Sequence, residues 1–325
     1  MTIYPLLLNP VVKDYIWGGT RLKTEFGYEG GDIASEAWVL SCHKDGRSVI
    51  QNGELKGQAL SDAISLWGKS SVGERAAGFP YFPILIKLID ARDRLSVQVH
   101  PDNQYALRAE GEYGKTEMWY VVDCEPGAHL IYGMNQTIKK DEFRAHIKGG
   151  TLSEVCNHVP VKKGDVFFIE AGTLHAIGSG ILIAEVQQNS NTTYRVSDYG
   201  RMGADGKPRE LHIDKAVDVT ITTPPTRPYG NVGEIRTIPG GTVRQLADCE
   251  FFHTDLLTVS DLMAVGKDDS FCSLLCLDGE CALTSEGFEP IQLKKGSSIF
   301  LPAGMGAELS GNTRFPAQLL YTNLK

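Results

Sequence analysis

The chain has 325 residues, of which 42% are apolar and 22% are charged, and its formal net charge is −8. This composition is typical of a globular protein with one large core or two smaller ones, and two domains are the default expectation. The acidic balance argues against nucleic acid as a partner, because phosphate backbones are bound by clustered lysine and arginine. Small anionic ligands stay open, because a few cations concentrated in one cleft are enough to bind them.

The sequence also argues against a membrane protein. It has no apolar run of about eighteen residues, and its first residues show neither a basic leader nor a small-residue cleavage site. We therefore expect a cytoplasmic protein with no membrane partner. The seven cysteines are odd in number and form no C-x-x-C pair, which predicts buried, reduced thiols.

The first eighty residues read as short strands and turns with one helix. Aromatic and apolar residues at 15–17 and 36–41 predict strands. The apolar spacing from Leu60 to Trp67 predicts a short amphipathic helix that ends at Gly68.

From residue 82 the predicted strands become longer. The apolar run FPILIKLID predicts a strand that is buried on both faces, and residues 101–116 read as a long polar loop. A capping signature at Thr151-x-x-Glu154 predicts one or two short helices between residues 137 and 158. Further strands are predicted over residues 95–100, 117–122, 129–132, 165–169 and 181–186. Many short strands with glycine-rich turns indicate an all-β sandwich or barrel with helical insertions.

A domain boundary is predicted in TTPPTRPYG, residues 222–230, because closely spaced prolines favour an extended connector over a central strand. Strands follow again over residues 251–259, 271–277, 281–284, 298–301 and 318–321. We therefore divide the chain into a domain of residues 1–222 and a smaller domain of residues 223–325.

The two parts resemble one another. The stretch VKKGDVFFIEAGTLHAIGSG from Val161 can be laid over LKKGSSIFLPAGMGAELSG from Leu293, with shared glycines. In this alignment His175 falls on Ala307, and its upstream extension places Glu117 opposite Cys272. The sequence thus indicates a duplicated β-domain whose second copy lacks two candidate metal ligands.

Polar groups suited to a metal occur at four positions. Residues two apart in a strand point to the same face, so Gln98 and His100 project together. Glu117 adds a carboxylate from the next strand, and G-x5-E-x-G-x-x-H, ending at His175, resembles the second signature of the cupin superfamily. Four nitrogen and oxygen ligands of this kind suit zinc or another borderline divalent ion.

A more specific resemblance rests on several stretches of the chain. They are YIWGG, SEAW, FPILIKLIDARDRLSVQVHPD, GKTEMWYV, AGTLHAIG and the region of Arg195. Together they resemble the short bacterial form of the class I, zinc-dependent mannose-6-phosphate isomerase family. The resemblance implies an all-β fold of two cupin or jelly-roll barrel domains, with short helical insertions in the first and no metal in the second.

The resemblance also implies roles for individual residues. One zinc ion per chain would be held by Gln98, His100, Glu117 and His175. Arg195 matches an essential arginine of the family, and Glu185 matches an acidic position of its active site.

The family reaction interconverts mannose 6-phosphate and fructose 6-phosphate through a cis-enediol. It needs a base near the carbon acid and a cation near the developing enediolate oxygen. The candidates for proton transfer are Glu185, ranked first, then Lys115 and Asp198, while Arg195 would stabilise the enediolate. By resemblance the phosphosugar contacts are Ser96, Lys115, Arg195 and Arg201.

Two other functions stay open. The chain could be another metal-dependent cupin enzyme, such as an iron or manganese oxygenase, because the same ligands serve several metals. It could also be a non-catalytic phosphosugar-binding protein on the same scaffold. The second domain is expected to serve packing or oligomerisation, and whether the chain forms a homo-oligomer stays open.

Overall fold

The computed structural model describes residues 2–203 and 206–325. The helices are α1 (Arg21–Thr24), α2 (Leu60–Trp67), α3 (Glu74–Ala77), α4 (Asn103–Ala109), α5 (Lys140–Gly149) and α6 (Ile213–Val219), with 3-10 turns at Lys69–Ser71 and Leu152–Glu154. The strands before residue 200 are β1 (Leu6–Asn9), β2 (Val11–Lys13), β3 (Glu36–Leu40), β4 (Val49–Ile50), β5 (Ile84–Ala91), β6 (Val97–Val99), β7 (Glu117–Cys124), β8 (His129–Met134), β9 (Cys156–Pro160), β10 (Val166–Ile169), β11 (His175–Ala176), β12 (Ile181–Gln188) and β13 (Tyr194–Ser197). The later strands are β14 (Ile235–Ile238), β15 (Gly241–Asp248), β16 (His253–Val259), β17 (Leu262–Gly266), β18 (Cys272–Asp278), β19 (Glu280–Thr284), β20 (Ile291–Lys294), β21 (Ser298–Leu301), β22 (Gly306–Ser310) and β23 (Ala317–Asn323).

The strands form four antiparallel sheets, which pack in pairs. A six-stranded sheet, β10-β7-β12-β5-β3-β2, faces a five-stranded sheet, β13-β6-β11-β8-β9, across a core that includes Trp119 and Phe167. An eight-stranded sheet, β14-β15-β16-β23-β18-β21-β1-β4, faces a four-stranded sheet, β17-β22-β19-β20, across a core that includes Leu274 and Leu309. The fold is therefore mostly β-structure, as the sequence predicted.

A third and larger apolar cluster joins the two pairs of sheets. Met118 and Tyr120 contribute from β7, and Leu275 and Phe300 contribute from the eight-stranded sheet. Burying one such side chain stabilises the fold by about 1.5–3 kcal/mol. In β7, successive side chains alternate between this cluster and the core around Trp119, which explains why the strand is apolar on both faces.

The start of the chain belongs to the sheet built mainly from its end. Strand β1 pairs antiparallel with β21, with Leu7 opposite Ile299, and β4 pairs with β1. The eight-stranded sheet therefore draws two strands from before residue 51. A division of the chain into residues 1–222 and 223–325 stays a prediction.

Helices α5 and α6 cover the outer face of the five-stranded sheet. Phe143 of α5 and Val217 of α6 belong to one cluster with Val97 and Ile131, whose side chains point away from the opposing sheet. This cover leaves the inner face of β6, β8 and β11 free to carry other side chains. None of the helices in the described residues is both long enough and apolar enough to span a membrane.

Several local predictions are confirmed and others are wrong. Helix α2 has the predicted limits, and Gly68 follows it with a φ of +77°. The predicted strand at residues 15–17 is wrong, because a turn is closed there by the Gly18 N–H, which donates to the Tyr15 carbonyl at 2.9 Å. The polar stretch 101–116 contains α4, whose N-terminus is capped by the Asp102 side chain accepting from the Tyr105 N–H at 2.8 Å.

The capping signature that begins at Thr151 precedes a 3-10 turn and not the longer helix of this region. Helix α5 begins at Lys140, and it is Glu142 that accepts a hydrogen bond from the Lys139 N–H at 2.9 Å. The Thr151 hydroxyl instead contacts His146 Nδ1 at 2.8 Å. Both α5 and the 3-10 turn Leu152–Glu154 therefore lie within the predicted range, and Thr151 precedes the 3-10 turn without a capping hydrogen bond from its side chain.

Candidate active site

Four polar side chains meet on the inner faces of the first pair of sheets. Gln98 lies on β6, and His100 follows directly after that strand. Glu117 begins β7, and His175 begins β11, where it pairs across the sheet with Gln98. The fold thus brings together the four side chains that the sequence predicted as ligands, although their binding of a metal stays a prediction.

Three of these side chains form a compact group that could hold a metal ion. Ligand atoms of His100, Glu117 and His175 lie within 4.8 Å of one another, and all three residues are buried. Nε2 of each histidine lies 3.6 Å from a different carboxylate oxygen of Glu117. Gln98 Nε2 is 3.4 Å from His175 Nε2, so the amide borders the same space.

Backbone carbonyls orient both imidazoles. His100 Nδ1 lies 2.8 Å from the Thr192 carbonyl oxygen, and His175 Nδ1 lies 2.9 Å from the Thr173 carbonyl oxygen. A carbonyl only accepts, so each Nδ1 carries the proton and each Nε2 presents a lone pair to Glu117. Fixing the tautomer in this way is the usual outer support of a histidine metal ligand.

Burial sets the charge states of the group. It lowers the pKa of His175 to about 4, and together with the Lys115 charge it also lowers the pKa of His100. Both imidazoles are therefore neutral near pH 7, as metal binding requires. Burial, reinforced by the charge of Glu185, raises the pKa of Glu117 to about 7.

The chemistry of this donor set fits a divalent metal. Lys115 Nζ lies 2.8 Å from Glu117 Oε2, yet among the described residues neither oxygen of this carboxylate has a hydrogen bond of acceptable geometry. Buried carboxylate oxygens without such partners are costly unless a cation is coordinated. Two neutral imidazoles, a carboxylate and an amide form a nitrogen and oxygen set that suits zinc.

Gln98 and Lys115, which contact His175 and Glu117 of this group, line a cavity of about 310 Å³. Its polar lining comes from several strands and from connecting segments: Glu36, Lys87, Ser96, Gln98, Lys115, Glu185, Asn191, Thr193, Arg195 and Arg209. Tyr15 and Trp17 form part of the aromatic lining. A cavity of this size with convergent polar groups is typical of a small-molecule site.

Glu185 is held inside this cavity by one hydrogen-bond donor and two lysine ammonium groups. Trp119 Nε1 donates to its Oε2 at 2.8 Å, and the ammonium groups of Lys87 and Lys115 lie 3.4 and 3.8 Å from its Oε1. Burial alone would raise the pKa of Glu185, but Lys115 and Lys87 outweigh it and lower the pKa to about 2. Glu185 is therefore ionised at neutral pH.

Arg195 enters the cavity from β13. Its Nε donates to Ser96 Oγ at 3.3 Å, and its Nη1 donates to the Glu210 carbonyl at 3.0 Å. Burial, followed by the charge of Arg209, lowers the pKa of Arg195. Two guanidinium groups that line one cavity make that part of it a favourable place for an anion.

Arg201 was predicted to contact the substrate, but its guanidinium is bound by other protein groups. It donates to the Arg94 carbonyl and to Asp198 Oδ1 at 2.6 Å, and it is not among the described residues that line the cavity. Arg209 lines the cavity and donates to both oxygens of Asp198. Asp198 is thus occupied by two arginines, whose hydrogen bonds outweigh burial and lower its pKa, and it is poorly placed to act as the base.

Three charged residues of the cavity were missed by sequence reasoning: Glu36, Lys87 and Arg209. A lysine inside the apolar run FPILIKLID was a usable signal, because a lysine in a buried strand needs ionic partners. Lys87 finds them in Glu36 at 3.8 Å and Glu185 at 3.4 Å. Arg209 gave no comparable signal, since it belongs to no predicted strand and to no motif.

Paired β-sheets around a buried His–Glu–His group define the cupin class of protein. A family model described as phosphomannose isomerase type I, catalytic domain, matches residues 6–121, and one described as mannose-6-phosphate isomerase, cupin domain, matches residues 242–316. The chain belongs to the type I phosphomannose isomerase family.

Curated relatives and a solved structure agree with this assignment. A mannose-6-phosphate isomerase from Bacillus subtilis is 40% identical over 312 residues, covering 94% of this chain and 95% of the relative. One from Streptococcus mutans is 39% identical over 305 residues, covering 92% of each. The crystal structure of a mannose 6-phosphate isomerase from Bacillus subtilis matches with a TM-score of 0.90 and 33% identity, covering 98% of this chain and 99% of that chain. The family resemblance drawn from the sequence is confirmed.

Proposed function

We propose that the chain interconverts mannose 6-phosphate and fructose 6-phosphate with one zinc ion per chain. The observation that carries the proposal is the His100, Glu117 and His175 group beside a cavity lined by Arg195 and Arg209. A metal-ligand set alone fits many cupins. A metal-ligand set next to two guanidinium groups fits a substrate with a phosphate dianion.

Gln98, His100, Glu117 and His175 would hold the metal. When bound there, zinc would supply Lewis-acid stabilisation for the oxygens at C1 and C2 of the sugar. Lys115 lies between the ligand group and Glu185, and Ser96 donates to Gln98 Oε1 at 3.3 Å. These two residues border both the ligands and the substrate space.

Arg195 and Arg209 would bind the phosphate or the developing enediolate. The Ser96 and Glu210 contacts fix the guanidinium of Arg195, and Asp198 fixes that of Arg209. Orientation before substrate arrives reduces the entropy that binding would otherwise cost. Arg201 supports Arg209 through the shared carboxylate of Asp198, and we assign it this indirect role in substrate binding.

Glu185 is our candidate for the group that moves the proton between C1 and C2. It is ionised, it faces the cavity, and it lies apart from the four ligand positions. Its low pKa makes it a weak base when the cavity holds no substrate. Lys115, 3.8 Å from Glu185, would then share the proton transfer as the adjacent acid.

We also propose the domain organisation predicted from the sequence. Residues 1–222 would form the catalytic cupin domain with its helical insertions, and residues 223–325 would form a jelly-roll domain without metal. Apolar packing between the two paired-sheet units supports a role for the second domain in stabilising the first.

The test is to remove all metal, restore zinc, manganese or iron separately, and assay each form with mannose 6-phosphate. We expect fructose 6-phosphate only from metal-loaded protein, with zinc restoring activity and a chelator abolishing it. Turnover that survives complete metal removal, or none with zinc, would contradict the proposal. Oxygen consumption with iron would favour the oxygenase alternative, and binding of the phosphosugar without turnover would favour the binding protein.

A further inference from the structure

One loop both orients a candidate metal ligand and lines the substrate cavity. Residues 189–193 connect β12 to β13. The Thr192 carbonyl faces His100 Nδ1 at 2.8 Å, while the neighbouring Asn191 and Thr193 line the cavity. The position of this loop therefore affects two parts of the proposed site at once.

Glu112 holds this loop from outside the cavity. The Thr192 hydroxyl donates to Glu112 Oε2 at 2.9 Å. Glu112 lies in the irregular stretch between α4 and β7, and the side-chain hydrogen bond joins that stretch to the 189–193 loop. A hydrogen bond to an ionised carboxylate is shorter and about twice as strong as one between neutral groups.

His43 holds the other oxygen of Glu112. The Asp45 N–H donates to His43 Nδ1 at 3.1 Å, so the proton of a neutral His43 is on Nε2. His43 Nε2 lies 3.0 Å from Glu112 Oε1 and therefore donates to it. The His43 ring is buried and packs edge-on against Trp38, which fixes its position.

A second contact ties the same loop to the same support. Asn191 Nδ2 donates to Asp45 Oδ2 at 3.0 Å. The loop after β3 thus contacts the 189–193 loop directly through Asp45 and indirectly through His43 and Glu112. These contacts form a continuous path from His43 to Glu112, to Thr192 and to His100.

We propose that Glu112, supported by His43, is a positioning residue for the metal centre. It fixes Thr192 so that the carbonyl holds the His100 imidazole with Nε2 turned toward Glu117 and His175. This inference rests on the proposed metal-dependent function. It adds a group that touches neither the metal ligands nor the cavity, and that no sequence motif indicated.

The test uses paired variants of Thr192 and a matched pair of glutamates. Thr192→Val removes the hydroxyl with little change of shape and keeps the backbone carbonyl, whereas Thr192→Ser keeps the hydroxyl. Glu112→Gln cannot accept from both Thr192 and His43. Glu110→Gln is the control, because Glu110 accepts from Tyr194 and Lys215 and makes no hydrogen bond to Thr192.

The readouts are the zinc dissociation constant, from competition with a chromogenic chelator, and the visible spectrum of the cobalt-substituted protein. Thermal melts of the metal-free variants check that each one folds. Loss of an outer support of a ligand typically costs 10–100-fold in metal affinity, and we expect about tenfold for Thr192→Val and Glu112→Gln. Their cobalt spectra should also change, while Thr192→Ser and Glu110→Gln should match the parent protein.

Unchanged zinc affinity and cobalt spectra in Thr192→Val and Glu112→Gln would overturn the inference, as would a loss in Thr192→Ser equal to that in Thr192→Val. These results leave the proposed function standing if the parent protein still binds zinc and isomerises mannose 6-phosphate. A parent protein that binds no zinc would overturn the metal centre itself. If Glu112→Gln does not fold, the two Thr192 variants decide the question.

Discussion

The two pairs of sheets share one strand order but carry different interiors. Strands β10-β7-β12-β5-β3-β2 of the six-stranded sheet correspond in order to β21-β18-β23-β16-β15-β14 of the eight-stranded sheet. Strands β6-β11-β8-β9 correspond in the same way to β17-β22-β19-β20. The internal repeat read from the sequence therefore extends over ten strands of each half.

The strand registers show which residues occupy equivalent positions. Glu117 pairs with Ile169 in the first half, and Cys272 pairs with Leu301 in the second. The same comparison places His175 opposite Gln98 and Ala307 opposite Val265. Two positions beyond Glu117 in β7 and two beyond Cys272 in β18, the residues that pair from the neighbouring strand are Glu185 and Tyr321. Glu185 of the first half therefore corresponds to Tyr321 of the second.

The difference between the two halves shows how a buried polar site affects the stability of the fold. In the second half, Cys272, Val265 and Ala307 pack with apolar neighbours, and burial raises the pKa of the Cys272 thiol to about 12, which keeps it protonated. In the first half, the equivalent positions carry an amide, a carboxylate and an imidazole whose desolvation must be offset by a charged partner such as Lys115 or by a metal. One copy of the fold contributes packing, and the other carries polar groups that reduce its own stability.

The largest effect should come from replacing His175 with alanine, the residue that the second half has at the equivalent position. His175→Ala removes a ligand from the proposed metal centre. We expect loss of bound zinc and a fall in kcat/KM of roughly a thousandfold or more, because a metal contributes several kcal/mol to such reactions. Elemental analysis and the isomerase assay measure both. Ala307→Ser, at the equivalent position of the second half, is the control; a zinc content in His175→Ala equal to that of the parent protein would contradict the assignment.

The next effect concerns the equivalent pair Glu185 and Tyr321. Glu185→Gln keeps the shape of the side chain and removes its ability to take a proton. General acid–base groups contribute 10²–10⁴-fold, and we expect kcat to fall about a thousandfold with zinc retained. Tyr321→Phe loses only the hydroxyl that faces Asp268 at 3.3 Å, and it should leave kcat unchanged. If the two variants lose activity equally, Glu185 has no special role.

A reverse substitution tests whether the second half tolerates a ligand. Cys272→Glu places a carboxylate in an apolar core whose described residues include no histidine. We expect the free energy of unfolding to fall by about 3 kcal/mol, because an unpaired buried charge is strongly destabilising. Urea denaturation of the metal-free protein measures it, and Cys272→Val controls for the loss of the thiol. Equal stability of these two variants would show that the second half still accommodates a polar centre.

The sequence indicated the repeated turns because their geometry restricts the residue type. Gly164 and Gly296 have φ values of +89° and +92°, and Gly172 and Gly304 have +89° and +73°, a region that disfavours other residues. The glycines therefore aligned the two halves and indicated His175. The same alignment showed Ala307 in its place, which predicted a second half without this ligand.

What the sequence did not indicate depends on distant contacts or on weak local patterns. Lys87 has its ionic partners in Glu36 and Glu185, which the sheet brings to it from two other strands. Helix α4 was read as a loop because it buries only Ala106, so its sequence lacks an apolar stripe. The orientation of Arg209 depends on Asp198, eleven residues earlier, and no periodic pattern relates the two.

The smallest effect should come from Asp198, which follows β13, a strand with no counterpart in the four-stranded sheet. Its two arginine partners lower its pKa below the ordinary value of 3.8, so its stabilising contribution is present above pH 3.8 and is lost as the pH falls through the lowered pKa. Asp198→Asn should reduce the free energy of unfolding by about 1 kcal/mol at pH 7, and by progressively less in acid. Urea denaturation at several pH values measures the difference from the parent protein.

Because Asp198 also orients Arg209, the variant should raise the KM for mannose 6-phosphate more than it lowers kcat. A change in kcat alone would place Arg209 outside substrate binding.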